Sequence, residues 1–288
     1  MPKQDQHIIP QVYLKQFGFQ KREYNNKWFV SVKNLKNGKW QNREIKAFLT
    51  VNNLYKFQEF FPSRINLIEE ALNGGIEQRI PLIISVLKRH KKINYDRHLD
   101  IAETTANFLC RTEMVRGWLS DWCNKSDLKL RRLFDFITEG NFTDIGIANH
   151  VFNVTNSLLL KDKINCLMVD YMMYVKKVLS HASLTILECT GDHKLFTSDN
   201  PVCLMNVGYG EISTKPMEIY FPLSAKYLAY FYFDKSISKM TTLIPKLESG
   251  TKIKFDEESI NYYTRSVLPS RANNFIISPI DFSLLGIS

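Results

Sequence analysis

An α+β fold is predicted by three successive stretches of hydrophobic pattern along the 288 residues. A strand hairpin opens the chain, a helical period carries its middle, and a strand period returns after His181. These predict one integrated domain over 1–288, with an N-terminal helix and β-hairpin in 1–60, a helical region in 63–181, and a β-rich region with one helix in 183–288. The hairpin and the C-terminal antiparallel strands are expected to share one sheet region, packed against the central bundle of helices.

Each element has a local cause. Pro10 suits a helix start because its φ is already helical, and Ile9, Val12, Tyr13 and Phe17 give the short helix apolar contacts before Gly18 ends it. Such an apolar element must pack on the protein, which holds His7 near structure. Trp28–Val32 and Lys39–Ile45 flank Asn37-Gly38, a strong hairpin signal because both residues tolerate positive φ. From Ser63, Ile65, Ile68 and Leu72 and then Ile76, Ile80, Ile83, Ile84 and Leu87 recur at helical spacing. Gly74-Gly75 and Pro81 are expected to interrupt that run.

A long helix is expected over Asp96–Cys123, followed by helices over Ser126–Phe136 and Asn149–Leu179. Strands are expected at Leu184–Cys189, Lys194–Thr197, Val202–Met205, Met217–Phe221 and Tyr227–Phe233, with Gly191-Asp192 turning the first into the second. Asp256-Glu257-Glu258 opens a helix to about Val267, since acidic residues suit a helix N-terminus, and Asn274–Ile277 closes the sheet.

Composition narrows the function classes. The charge of +9 favours a phosphate-bearing or otherwise acidic partner, nucleic acid among these, although the cations fall in short clusters such as Lys88–Lys92 rather than in one arm. Five separated cysteines without a CxxC pair, and no apolar signal core, predict free thiols in a reducing cytoplasm. The longest apolar runs, Ile80–Leu87 and Leu228–Phe233, are far short of a membrane span, so no membrane partner is expected.

Thr197-Ser198-Asp199-Asn200-Pro201 bunches four hydrogen-bonding side chains where a strand stops. It is either an ordinary turn or a loop-borne site. Arg111 lies inside the apolar Phe108–Cys110 stretch, so its charge must meet a carboxylate or bind an anion.

The opening His7-x-x-Pro10-Gln11-x-Tyr13-Leu14-x-x-Phe17, the Arg111-Thr112 pair, Thr197–Pro201 and Phe221-Pro222-Leu223-Ser224 together resemble the bacterial family known as domain of unknown function 4238. Leu54-Tyr55 matches its Phe-Tyr-like step loosely, Glu77 stands at its central Glu, and Asn261 and Arg271 fit its closing helix and strand. The resemblance covers nearly the whole chain. It implies one integrated domain in which His7, Arg111 and Asp199 converge, and it implies no activity.

Two functions fit these residues. One is a hydrolase acting on phosphate-containing substrate, a nuclease among these. In it His7, Glu77, Arg111 and Asp199 are catalytic, Gln11, Tyr13, Thr197, Ser198 and Asn200 bind substrate, and Arg111 neutralises phosphoryl charge. Carboxylates with a His can hold a divalent metal, but no motif specifies one. The other is a non-catalytic nucleic-acid- or protein-binding module whose polar turn is a structural corner bonded to Arg111 and His7. No Walker loop, GxGxxG or nucleophile elbow is present.

Overall fold

The computed structural model describes residues 5–52, 54–55, 75, 77–139, 141–206, 208–212, 217–233, 240, 243–244 and 247–282, with the side chains of Asp5, Glu77 and Glu211 outside that description. The strand elements are β1 Asp5–His7, β2 Phe19–Lys21, β3 Lys27–Asn34, β4 Trp40–Glu44, β5 Thr50–Asn52, β6 Ser183–Cys189, β7 Thr197–Ser198, β8 Cys203–Met205, β9 Glu218–Pro222, β10 Tyr227–Tyr232, β11 Thr251–Phe255 and β12 Phe275–Ser278. The helices are α1 Gln11–Leu14, α2 Glu77–Arg89, α3 Tyr95–Cys110, α4 Glu113–Cys123, α5 Asp127–Ile137, α6 Ile145–Ser157, α7 Leu160–His181, α8 Glu257–Tyr262 and α9 Leu268–Arg271. A π-helical turn, Tyr263–Val267, joins the last two. The fold is α+β.

The expected hairpin is present, with Gly38 at φ +73° between β3 and β4. It does join C-terminal strands, since β12 pairs antiparallel with β3 and with β7. The other C-terminal strands form a second sheet in the order β11-β6-β10-β9-β8, so they divide between two sheets. Its outer strand β11 runs parallel to β6. Lys194–Phe196 is not a strand paired to β6 across Gly191-Asp192. Both edges of β6 are already taken, by β10 and β11, and the ladder available to Thr197 and Ser198 is β12.

The central sheet is covered on both faces. Ile186, Ile219, Phe221, Ala229 and Phe231 pack toward α3 and α7, while Tyr220, Leu228, Tyr230 and Tyr232 pack toward Tyr263 and Val267. Adjacent residues point to opposite faces, so Tyr227–Tyr232 must be apolar throughout. Near the N-terminus, Tyr13 packs against Phe108 and Phe221 with ring centroids 4.7 and 5.6 Å away. That core cluster reaches from Ile8 to Ile277.

The helical region differs from its expected boundaries. Asp96–Cys123 is two helices, because Thr112 takes an extended ψ of 151° and its hydroxyl accepts the Val115 N–H to begin α4. Asn149–Leu179 likewise divides at the extended Leu158 and Leu159. Pro81 lies inside α2 without ending it. The expected helix over 63–72, with Glu69 and Glu70, lies outside the described residues. Among the described residues the five cysteines are free, and no helix is long and apolar enough to cross a membrane.

Asp170 of α7 carries a pH consequence. Burial pushes its carboxyl up to about 6, whereas an unfolded aspartate titrates near ~3.9. The folded state therefore holds the proton more tightly, and stability present below about pH 4 is lost as pH rises through about 6. Asp170→Asn should flatten urea-unfolding stability between pH 4 and 7, removing a decline of roughly 2 kcal/mol in the native chain.

Candidate functional site

The polar turn is stitched into the protein residue by residue. Tyr13 donates its hydroxyl proton to the Pro222 carbonyl at 2.8 Å, and the Thr197 hydroxyl, 2.7 Å away, is left as donor to the phenol oxygen. Ser198 donates to the Asn200 carbonyl at 2.8 Å while its oxygen receives the Asn200 N–H at 3.1 Å, closing a Ser turn. The Asn200 amide donates to the Arg271 carbonyl at 2.8 Å and approaches the Met114 sulfur at 3.0 Å.

Asp199 is spent on main chain. Its Oδ1 accepts the Asn273 N–H at 2.9 Å and its Oδ2 accepts the Asn274 N–H at 2.7 Å. Its own N–H donates to the Phe275 carbonyl at 3.3 Å. Burial pushes the carboxyl above the ordinary aspartate range, and the main-chain donors of residues 273–275 oppose that shift. The turn is thus bonded to Tyr13 and to residues 271–275, rather than to Arg111 or His7 as the sequence suggested.

His7 and Arg111 do meet. Arg111 follows the last residue of α3, only 2% exposed, and its Nη2 donates to the His7 carbonyl at 2.8 Å. Its Nε donates to the Tyr55 hydroxyl at 3.2 Å, and its guanidinium carbon lies 5.5 Å from the Tyr55 ring centre. Gln6 fixes Tyr55 in turn by accepting its N–H at 2.7 Å. The His7 ring is partly exposed, and its Nε2 accepts from the Gln11 amide nitrogen at 2.9 Å. Position 77 begins α2, and the Glu77 side chain lies outside the described residues.

Asp199 approaches this pair only through their neighbours. Ile8 and Thr112, next to His7 and Arg111, share with Asp199, Asn200, Glu113 and Asn273 the wall of a cleft of about 60 Å³. That volume holds a few waters or one small ion. Glu113, which sequence reading missed, accepts from the Asn273 amide at 3.2 Å, so two carboxylates flank Asn273. Its signal was present as the first residue after a Thr cap. Among the described residues no three His, Cys, Asp or Glu side chains group as metal ligands.

A larger concavity, about 640 Å³ and open to solvent, lies where α2 ends and α3 begins. His90, Lys92, Asn94 and Arg97 line it opposite the loop Glu248–Thr251. Arg97 is tied to Asp100 at 2.8 Å. Lys88, Arg89, Lys91 and Lys92 are exposed and make no ion pair with a described carboxylate.

Removing the Asp199 carboxylate strands two main-chain donors. Asp199→Ala should cost about 2–4 kcal/mol of unfolding free energy, and Asp199→Asn, which keeps one acceptor, less than half of that. Chemical denaturation of the two variants checks this order; equal, small losses would contradict the clamp.

No curated protein and no solved structure matches the chain. A family model matches residues 5–252, taking in His7, Arg111, Thr197–Pro201 and Phe221–Ser224 but stopping short of Asn261 and Arg271. On that span the chain belongs to the family described as protein of unknown function, DUF4238.

Proposed function

We propose that this protein is a non-catalytic binding module for a phosphate-bearing ligand, nucleic acid foremost, and that the Asp199 turn and the His7–Arg111 contact are parts of its framework. The observation that carries the reading is the row Lys88, Arg89, Lys91 and Lys92, exposed and paired with no carboxylate among the described residues, beside an open groove. Neutralising such a row with phosphate releases counterions, which drives binding without any reaction. The groove's His90, Asn94 and Arg97 add donors beside the row. The spent carboxylate of Asp199 fits this reading, since a group held by two main-chain donors is poorly placed to take a proton from substrate.

A second reading is favoured by one observation. Glu113 and Asp199 line the same small cleft, and a carboxylate pair can act as acid and base in phosphate ester hydrolysis. Glu77 and His7 would then supply further groups.

Fluorescence anisotropy with labelled single- and double-stranded oligonucleotides separates the two. Affinity should fall steeply with salt, and the triple variant Lys88→Glu, Lys91→Glu, Lys92→Glu should lower the salt slope by roughly three. A flat salt response would remove the nucleic-acid reading. Cleavage of the same oligonucleotides that Glu113→Gln abolishes in a folded protein would establish the hydrolase instead.

A further inference from the structure

The small cleft beside the Asp199 turn is lined by two carboxylates and by no cationic side chain. Asp199 and Glu113 stand in its wall, which contains no Lys, Arg or His. No cation among the described residues lies within ion-pair distance of either carboxylate. Burial pushes the Asp199 carboxyl up in spite of its two main-chain donors, so those bonds offset only part of what its charge costs there.

A third oxygen on the same wall is independent of the acids. Asn200 is 1% exposed, and its Oδ1 has no hydrogen-bond partner. The amide is fixed in this sense: its Nδ2 donates to the Arg271 carbonyl at 2.8 Å, and exchanging nitrogen for oxygen there would set two acceptors against each other. A buried amide oxygen left unbonded costs free energy and marks a place for water or an ion. Water answers Asn200 alone. The charge of two carboxylates on one cleft is answered by a cation.

The surroundings suit a set of hard oxygen ligands. Asn273 gathers both carboxylates, its N–H bonding Asp199 Oδ1 at 2.9 Å and its amide bonding Glu113 Oε2 at 3.2 Å. Donors of this kind orient ligating carboxylates, and each oxygen keeps a further lone pair. A volume of about 60 Å³ takes one ion with a water or two. The wall has no thiol and no imidazole, the donors that select zinc or copper.

We infer that Asp199, Glu113 and Asn200 form a site for one hard divalent cation, calcium or magnesium, held by the two carboxylates and Asn200 Oδ1 with water completing its shell. The ion ties the start of α4 to the turn after β7. This site shares no wall residue with the groove beside Lys88–Lys92 and does not rest on the nucleic-acid reading.

Calorimetric titration of the chelator-stripped full chain with calcium chloride, and separately with magnesium chloride, tests the site at an ionic strength fixed by potassium chloride. Wild type should bind one ion saturably, with a dissociation constant of ~10⁻⁴–10⁻³ M for so few charged ligands. The amide N–H resonances of Asn273 and Asn274 should shift along the same isotherm. Glu113 is exposed, so Glu113→Gln spares the core; it should bind roughly tenfold more weakly or not at all. Glu113→Lys, which sets an ammonium in the cleft, should abolish binding and with it the rise in melting temperature that saturating cation gives wild type. The ion that binds more tightly identifies the site as one for calcium or for magnesium. No saturable binding of either ion by wild type, equal binding by wild type and Glu113→Gln, or shifts that spare Asn273 and Asn274 would overturn the inference.

Discussion

Two main-chain N–H groups that β7 is too short to serve set the terms for this fold. β12 pairs with β7 only through Ile276 and Ile277, so the N–H groups of Asn273 and Asn274 just upstream need another acceptor. The Asp199 carboxylate supplies both bonds and carries the ladder on past the end of the strand. Leaving such donors buried and unmade would cost more than the bonds themselves contribute. The Tyr13 hydroxyl extends the tie, because Thr197 belongs to the hairpin sheet and Pro222 to the central sheet. One phenol therefore fixes the N-terminal helix against both sheets at once.

Function follows from what this framework leaves unused. Asp199 and the Asn200 amide nitrogen are consumed in holding residues 271–274 and Ser198 in closing its own turn, so most of a run of polar side chains that looks like an active loop is committed to the framework. Exposed cations paired with no described carboxylate lie elsewhere, in the row Lys88, Arg89, Lys91 and Lys92 where α2 ends. An anionic, phosphate-rich ligand is the chemistry that suits them.

What could be read from the chain depended on whether the cause was local. Asn37-Gly38 announced its hairpin because the turn needs positive φ, and Thr197–Pro201 announced a turn because Asx, Ser and Pro dictate one over a few residues. The break at Arg111-Thr112 was hidden, since Leu109 and Val115 keep both helices in similar apolar rhythm, though Thr112 before Glu113 is a cap signal. Thr251–Phe255 was missed as a strand because its lysines dilute the apolar pattern; it exists because the free edge of β6 accepts it. The partners of Asp199 were unreadable for a different reason: main-chain donors carry no side-chain signature.

The central claim, that Asp199 is a structural clamp on the chain entering β12, is tested most directly by amide hydrogen exchange at Asn273 and Asn274. The account predicts that both amides exchange only through global unfolding in the native protein, and that Asp199→Ala releases these two while leaving β6 and β10 protected. Rapid exchange of Asn273 and Asn274 in the native protein would contradict it.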